Sequence, residues 1–126
     1  MKVIKILNQL TKCLLLIIFL LTNRSTLAQG WQWAKSGGGG GNDYGKVSCV
    51  DPSGNIYIGG TFDSPSFTLG SIFINNGGTD VFIAKYNASG ILLWSRSFGG
   101  SANETISAMC TDASGNLYVS GNFSSA

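Results

Sequence analysis

Beyond residue 29 the chain runs in short apolar stretches separated by small polar turns. Lys46–Asp51 and Asn55–Phe62 flank Pro52-Ser53-Gly54, a tight turn with glycine where a positive φ is needed. Asp80–Tyr86 and Ile91–Ser97 flank Asn87-Ala88-Ser89-Gly90, a second hairpin of the same style. The runs are short and rich in β-branched and aromatic residues, so they predict strands. NIYIGGTF and DVFIAKY are apolar at both alternating sets of positions, which predicts a sheet covered on both faces. Gly59, Gly60 and Ala84 would let neighbouring layers approach closely. Between the hairpins Asp63–Gly78 forms a longer connection, where Phe67, Leu69, Ile72 and Ile74 predict a short extra strand or a packed loop.

The pattern recurs with a period of 61 residues. Residues 33–64 lie over residues 94–125 without a gap, and 14 of the 32 positions are identical. Trp33 meets Trp94, Cys49 meets Cys110, and Asp51 meets Asp112. Gly54 and Asn55 meet Gly115 and Asn116, while Tyr57 and Gly60 meet Tyr118 and Gly121. Self-similarity at such a period marks a repeat protein in which each unit needs neighbours to bury its sheet. The expectation is an all-β chain of antiparallel four-stranded blades, about one and a half repeats long. Residues 30–36 would supply the last strand of one blade, about 46–97 a full blade, and about 107–123 the start of the next.

The succession of Trp33, Gly38-Gly39, D-x-S-G-N-x-Y-x-x-G-x-F over Asp51–Phe62, the run Gly78–Gly90, and Trp94 resembles the seven-bladed β-propeller (SBBP) repeat. The resemblance covers residues 29–126 and implies propeller blades in a secreted or cell-surface bacterial protein. With one and a half repeats the chain reads as an N-terminal fragment whose first partners are the missing repeats of a longer protein.

The first residues read as a targeting segment. Lys2, Lys5 and Lys12 precede the apolar run Leu14–Leu21, which is too short to cross a bilayer core of about 30 Å as a helix. Thr26-Leu27-Ala28 offers a cleavage site after Ala28, so residues 1–28 are expected to be a signal peptide and 29–126 the exported domain, with no membrane insertion afterwards. Removing the segment reverses the charge. The whole chain carries +2, but residues 29–126 keep only Lys35, Lys46, Lys85 and Arg96 against six carboxylates, a net −2. Too little positive charge is left to neutralise a run of phosphates, and nucleic acid is not an expected partner.

Candidate chemistry is sparse. Gly40, Gly45 and Lys46 match the spacing of a phosphate loop, but Val47 stands where a magnesium-holding hydroxyl is required and a strand follows, so the glycine run reads as a loop between blades. Asp51, Asn55, Asp112 and Asn116 place oxygens at alternating positions, as calcium loops do. The downstream bidentate Glu is missing, and the turn-forming role is preferred. Trp33 and Trp94 read as repeat packing residues, whereas Trp31, whose repeat partner is Leu92, is a candidate contact residue. Cys49 and Cys110 read as small buried thiols, and Asp43 and Glu104 as matched repeat features. With no histidine and no nucleophile elbow, no catalytic residue and no cofactor are expected. The leading expectation is a non-catalytic scaffold that binds a surface protein or polysaccharide. The alternative is part of a polysaccharide-active enzyme whose active site lies elsewhere.

Overall fold

A computed structural model describes residues 30–124, and the signal-peptide expectation lies outside them. The described residues form nine strands and no helix: β1 (Gly38–Gly39), β2 (Asp43–Val50), β3 (Ile56–Phe62), β4 (Ser66–Leu69), β5 (Ser71–Ile74), β6 (Asp80–Tyr86), β7 (Leu92–Phe98), β8 (Thr105–Thr111) and β9 (Leu117–Asn122). Strands β2-β3-β6-β7 make one antiparallel sheet, the expected blade. β8 and β9 pair antiparallel and restart the pattern. Both first hairpins carry the same irregularity, between Gly45 and Val47 in β2 and between the matching Ile106 and Ala108 in β8. The period is therefore structural as well as sequential.

β6 explains why the blade needs cover on both sides. Six of its seven residues are buried. Phe82, Ala84 and Tyr86 enter one cluster, while Val81 and Ile83 enter a second on the opposite face. The second face is closed by the next repeat: Ile106, Met109 and Leu117 lie against Val81, Ile83, Val47 and Trp94. Gly59 permits this approach, because a Cβ there would stand 2.7 Å from Ile106 and 3.0 Å from the Met109 sulfur. Thr111 Oγ1 donates to Val50 O at 2.9 Å, joining positions one repeat apart.

The first face is covered from within the repeat. The connection after β3 folds into the β4–β5 hairpin, and β1 adds to β4 with Gly38 opposite Thr68 and Gly39 opposite Phe67. Phe67 stacks on Phe62 at 5.1 Å and on Phe82 at 4.7 Å between ring centroids. The glycine run is thus not simply a loop between blades. Part of it is a strand, and glycine is required because a Cβ on Gly39 would fall 2.1 Å from Ser66 O.

A second correction concerns residues 30–36, which form no strand. A last blade strand needs a third strand beside it, as β7 has β6, and no described strand precedes this segment. Trp33 instead lies on Tyr86 at 5.7 Å and donates from Nε1 to Ala88 O at 3.0 Å.

Replacing Phe67 by Ala should lower unfolding free energy by about 3–5 kcal/mol, the cost of emptying an aromatic site in a core. Ile72→Ala on the exposed side of the same hairpin should stay within about 0.5 kcal/mol. Urea denaturation of the two variants checks the assignment of faces.

Candidate functional site

The Asp turns are the most regular feature of the repeat. Asp51 Oδ1 accepts from the amides of Ser53 at 3.0 Å and Asn55 at 2.9 Å, and Oδ2 accepts from Asn55 Nδ2 at 2.8 Å and the Tyr57 hydroxyl at 3.3 Å. Asp112 repeats this with Ser114, Asn116 and Tyr118 at 2.9, 2.9, 2.8 and 3.0 Å. Gly54 and Gly115 hold φ of 80° and 81°, so the backbone geometry is the same. Asn55 and Asn116 turn their amide nitrogens, not their oxygens, toward the carboxylates. The carboxylates accept from N–H and O–H donors of their own turns, the geometry a turn-setting role requires. Among the described residues no group of three or more His, Cys, Asp or Glu side chains is placed to hold a metal.

The Asn55 side chain, joined by its backbone amide and by Lys85, holds the Asp51 carboxyl well below the usual carboxylate range. Asn116 does the same for Asp112. The turns differ in one respect. Lys85 Nζ stands 3.2 Å from Asp51 Oδ2 and 4.8 Å from the Tyr57 ring centroid, and among the described residues no cation stands in the same way at Asp112.

A second cluster, not anticipated from the sequence, lies where the first blade meets the second repeat. Asp80 and Glu104 are both buried. Glu104 N donates to Thr79 O at 2.8 Å and Gly100 N donates to Glu104 Oε2 at 3.2 Å. The matching Gly39 N donates to Asp43 Oδ2 at 2.6 Å, so Asp43 and Glu104 are a true repeat pair. Asp80 Oδ2 accepts from Asn76 N at 3.2 Å, but its Oδ1 has no hydrogen-bond partner. Burial, with the Glu104 charge adding to it, pushes the Asp80 carboxyl up against the opposing pull of the Asn76 amide. The sequence signal was only an acidic residue opening an otherwise apolar strand.

Trp94 packs edge-on to Tyr57 at 6.0 Å, so both repeat tryptophans serve packing. Trp31 is 94% exposed. Cys49 is half-buried, and burial first, then Cys110 and Asp51, pushes its thiol up. Cys110 is exposed, contrary to the buried-thiol expectation; among the described residues no strand packs on β8 as β8 packs on β2. The two thiols are free.

Two apolar recesses lie beside the second repeat. A recess of about 190 Å³ is lined by Val81, Ile83, Phe98, Ile106, Val119 and Phe123, among others. A smaller recess of about 180 Å³ lies over Cys110, Tyr118 and Val119.

No protein-family model matches the chain, and no solved structure matches it. It is 33% identical over 85 residues to an uncharacterized WD repeat-containing protein of Acanthamoeba polyphaga mimivirus, covering 60% of this chain and 6% of the relative. The chain thus spans a small part of that protein's length. The likeness is to a β-propeller-type repeat, in agreement with the all-β antiparallel fold.

The two carboxyl classes should give opposite pH responses. The folded chain holds the Asp80 proton more tightly than the unfolded chain, so stability falls as pH rises from the unfolded value near 3.8 through the raised folded value. Asp80→Asn should remove that decline. Asp51 is depressed, so its contribution is full above the unfolded value near 3.8 and is lost as pH falls through the folded one. Asp51→Asn should therefore be destabilising at pH 7 and nearly neutral at strongly acid pH. Urea midpoints measured across the acid-to-neutral range check both signs.

Proposed function

We propose that the chain is a non-catalytic β-propeller repeat module of the SBBP kind, exported to the cell surface of a bacterium, whose blades serve as a scaffold for a protein or polysaccharide partner. One observation carries this reading. Among the described residues, those of the same type at the same repeat position are buried where further strands pack on them and exposed where no described strand does. Phe62 is 0% exposed and Phe123 59%, and Tyr57 is 2% exposed and Tyr118 55%. The bare positions are those that the β4–β5 hairpin, β6 and the next β8-type strand cover in the first repeat. Apolar surface of this kind is favourably removed from water at about 25 cal/mol per Å², so the second repeat is built to receive the same elements. The WD repeat relative supports the propeller reading.

Export rests on Lys2, Lys5, Lys12 and the apolar run that follows, with residues 29–126 as the exported domain. The scaffold role rests on the carboxylates: those of the two Asp turns are committed to turn geometry and that of Glu104 to the repeat junction. Trp31, exposed and outside the repeat's packing pattern, is the side chain best placed to touch a partner.

A chain extended after Phe123 by a second copy of residues 63–97 should complete the second blade. Its thermal midpoint should rise by at least about 5 °C, with the transition becoming sharper. An unchanged or lower midpoint would oppose the repeat-module reading. The catalytic alternative is checked separately by incubating the full chain with a panel of polysaccharides. Retention without new reducing ends is expected, and glycan cleavage would overturn the scaffold role.

A further inference from the structure

Two acids are buried together where the first blade hands over to the second repeat. Asp80 is 1% exposed and Glu104 0%. Two connections cross there: residues 75–79, which lead into β6, and residues 99–103, which lead from β7 toward β8. Thr79 bridges Asn103 in parallel, and Glu104 N donates to Thr79 O at 2.8 Å. The two carboxyls flank consecutive residues of the second connection. Gly100 N donates to Glu104 Oε2 at 3.2 Å, and a Cβ on Gly99 would collide with Asp80 Oδ1. Glycine at 99 therefore leaves the space into which the Asp80 carboxyl points.

Asp80 lacks a counterpart for its charge. Oδ2 accepts from Asn76 N at 3.2 Å, but Oδ1 is sealed from water and has no hydrogen-bond partner. Among the described residues the lysine that does pair with a carboxylate, Lys85, is engaged by Asp51. The charge near enough to act on Asp80 is that of Glu104, which has the same sign. A carboxylate buried in this way calls for a cation or a proton beside it. The matching acid of the first repeat is served differently. Asp43 accepts from the Ser64 hydroxyl at 2.7 and 2.8 Å as well as from Gly39 N.

The backbone at the crossing adds further oxygens. A Cβ on Gly78 would collide with Ala102 O and stand 2.8 Å from Asn103 Oδ1, and one on Gly77 would stand 3.1 Å from Ser101 O. Oxygen donors with two negative charges suit a hard divalent cation. Magnesium keeps several of its waters, whereas calcium accepts an irregular shell of carboxylate and carbonyl oxygens, so a crossing this closed to solvent favours calcium.

We propose that the crossing is a calcium site, with Asp80 Oδ1 and the Glu104 carboxylate as its charged ligands and oxygens of residues 101–103 adding to the shell. Glu104 keeps its bond from Gly100 N, because a carboxylate offers about four acceptor positions. Two acids and the main chain supply the donors, so the site is not a cluster of three acidic side chains. Asp80 opens β6 and Glu104 immediately precedes β8, so the ion ties one repeat to the next. The proposal concerns the rigidity of the stack and is independent of what the scaffold binds.

The test is thermal unfolding of the full chain at neutral pH, first in EDTA and then with calcium chloride. About 10 mM calcium should raise the midpoint by at least about 5 °C, as for a site with a Kd on the order of 10⁻⁴–10⁻³ M. Magnesium chloride at the same concentration should give less than about half that shift. In EDTA the Asp80→Asn chain should be at least as stable as the parent, since a neutral amide replaces a buried charge, and calcium should no longer raise its midpoint. A second measurement leaves the protein unaltered. Calcium titration should move the amide signals of residues 76–80 and 99–104 saturably and leave those of the Asp51 and Asp112 turns in place. No midpoint gain, an equal gain with magnesium, a gain retained by Asp80→Asn, or shifts centred on the two Asp turns would each overturn the proposal. A carboxyl pair that holds a proton in place of the ion gives the first of these results. The elongated chain and the polysaccharide panel test the repeat module and its scaffold role separately, so either reading can fail without the other.

Discussion

A sheet that is apolar on both faces has to be covered twice, and the arrangement of this chain follows from that requirement. β6 sets the problem, with Val81 and Ile83 pointing one way and Phe82, Ala84 and Tyr86 the other. Water on either side would leave large side chains hydrated, with nothing to offset the cost of ordering the chain. The two faces are closed by different means. One receives Ile106, Met109 and Leu117 from the following repeat, and the other receives Phe67, Leu69 and Phe73 from a hairpin within the same repeat. The stack therefore has a direction, because each repeat brings its own cover for one face and relies on its successor for the other.

The two copies of the repeat separate local from long-range causes. Whatever is set by residues within one hairpin is the same in both: the Asp51 and Asp112 turns agree closely in bond lengths and in glycine φ, and the bulges fall at matched positions. Whatever depends on later chain differs. Tyr57 and Tyr118 make the same bond to aspartate, yet one ring lies under Lys85 and the other lies open. The junction between repeats also carries a cost, since Asp80 is buried with one oxygen lacking a hydrogen-bond partner beside the buried Glu104.

The same division accounts for what could be read from the sequence. The four blade strands and both glycine turns were legible because alternation and turn chemistry act over a few residues, and the ungapped period located the second repeat. The insert was only half legible. Phe67, Leu69, Ile72 and Ile74 announced a packed segment, but its pairing with Gly38–Gly39 spans some thirty residues and leaves no local signal. The expected strand at 30–36 failed for a related reason, since matching Leu92–Trp94 in sequence does not supply the partner that β6 gives to β7. Neither the Lys85–Asp51 pair nor the exposure of Cys110 could be seen before the register of β3 against β6 and the stacking of β8 on β2 were known.

Central to this account is that identical repeat positions owe their stability to strands that follow them and not to their own sequence. Native-state amide hydrogen exchange on the full chain measures this most directly, comparing Tyr57–Phe62 with Tyr118–Phe123 position by position. The account predicts that the β3 amides exchange only through global unfolding, while those of β9 on the edge where no described strand pairs exchange orders of magnitude faster through local opening. Equal protection of the two strands would contradict it.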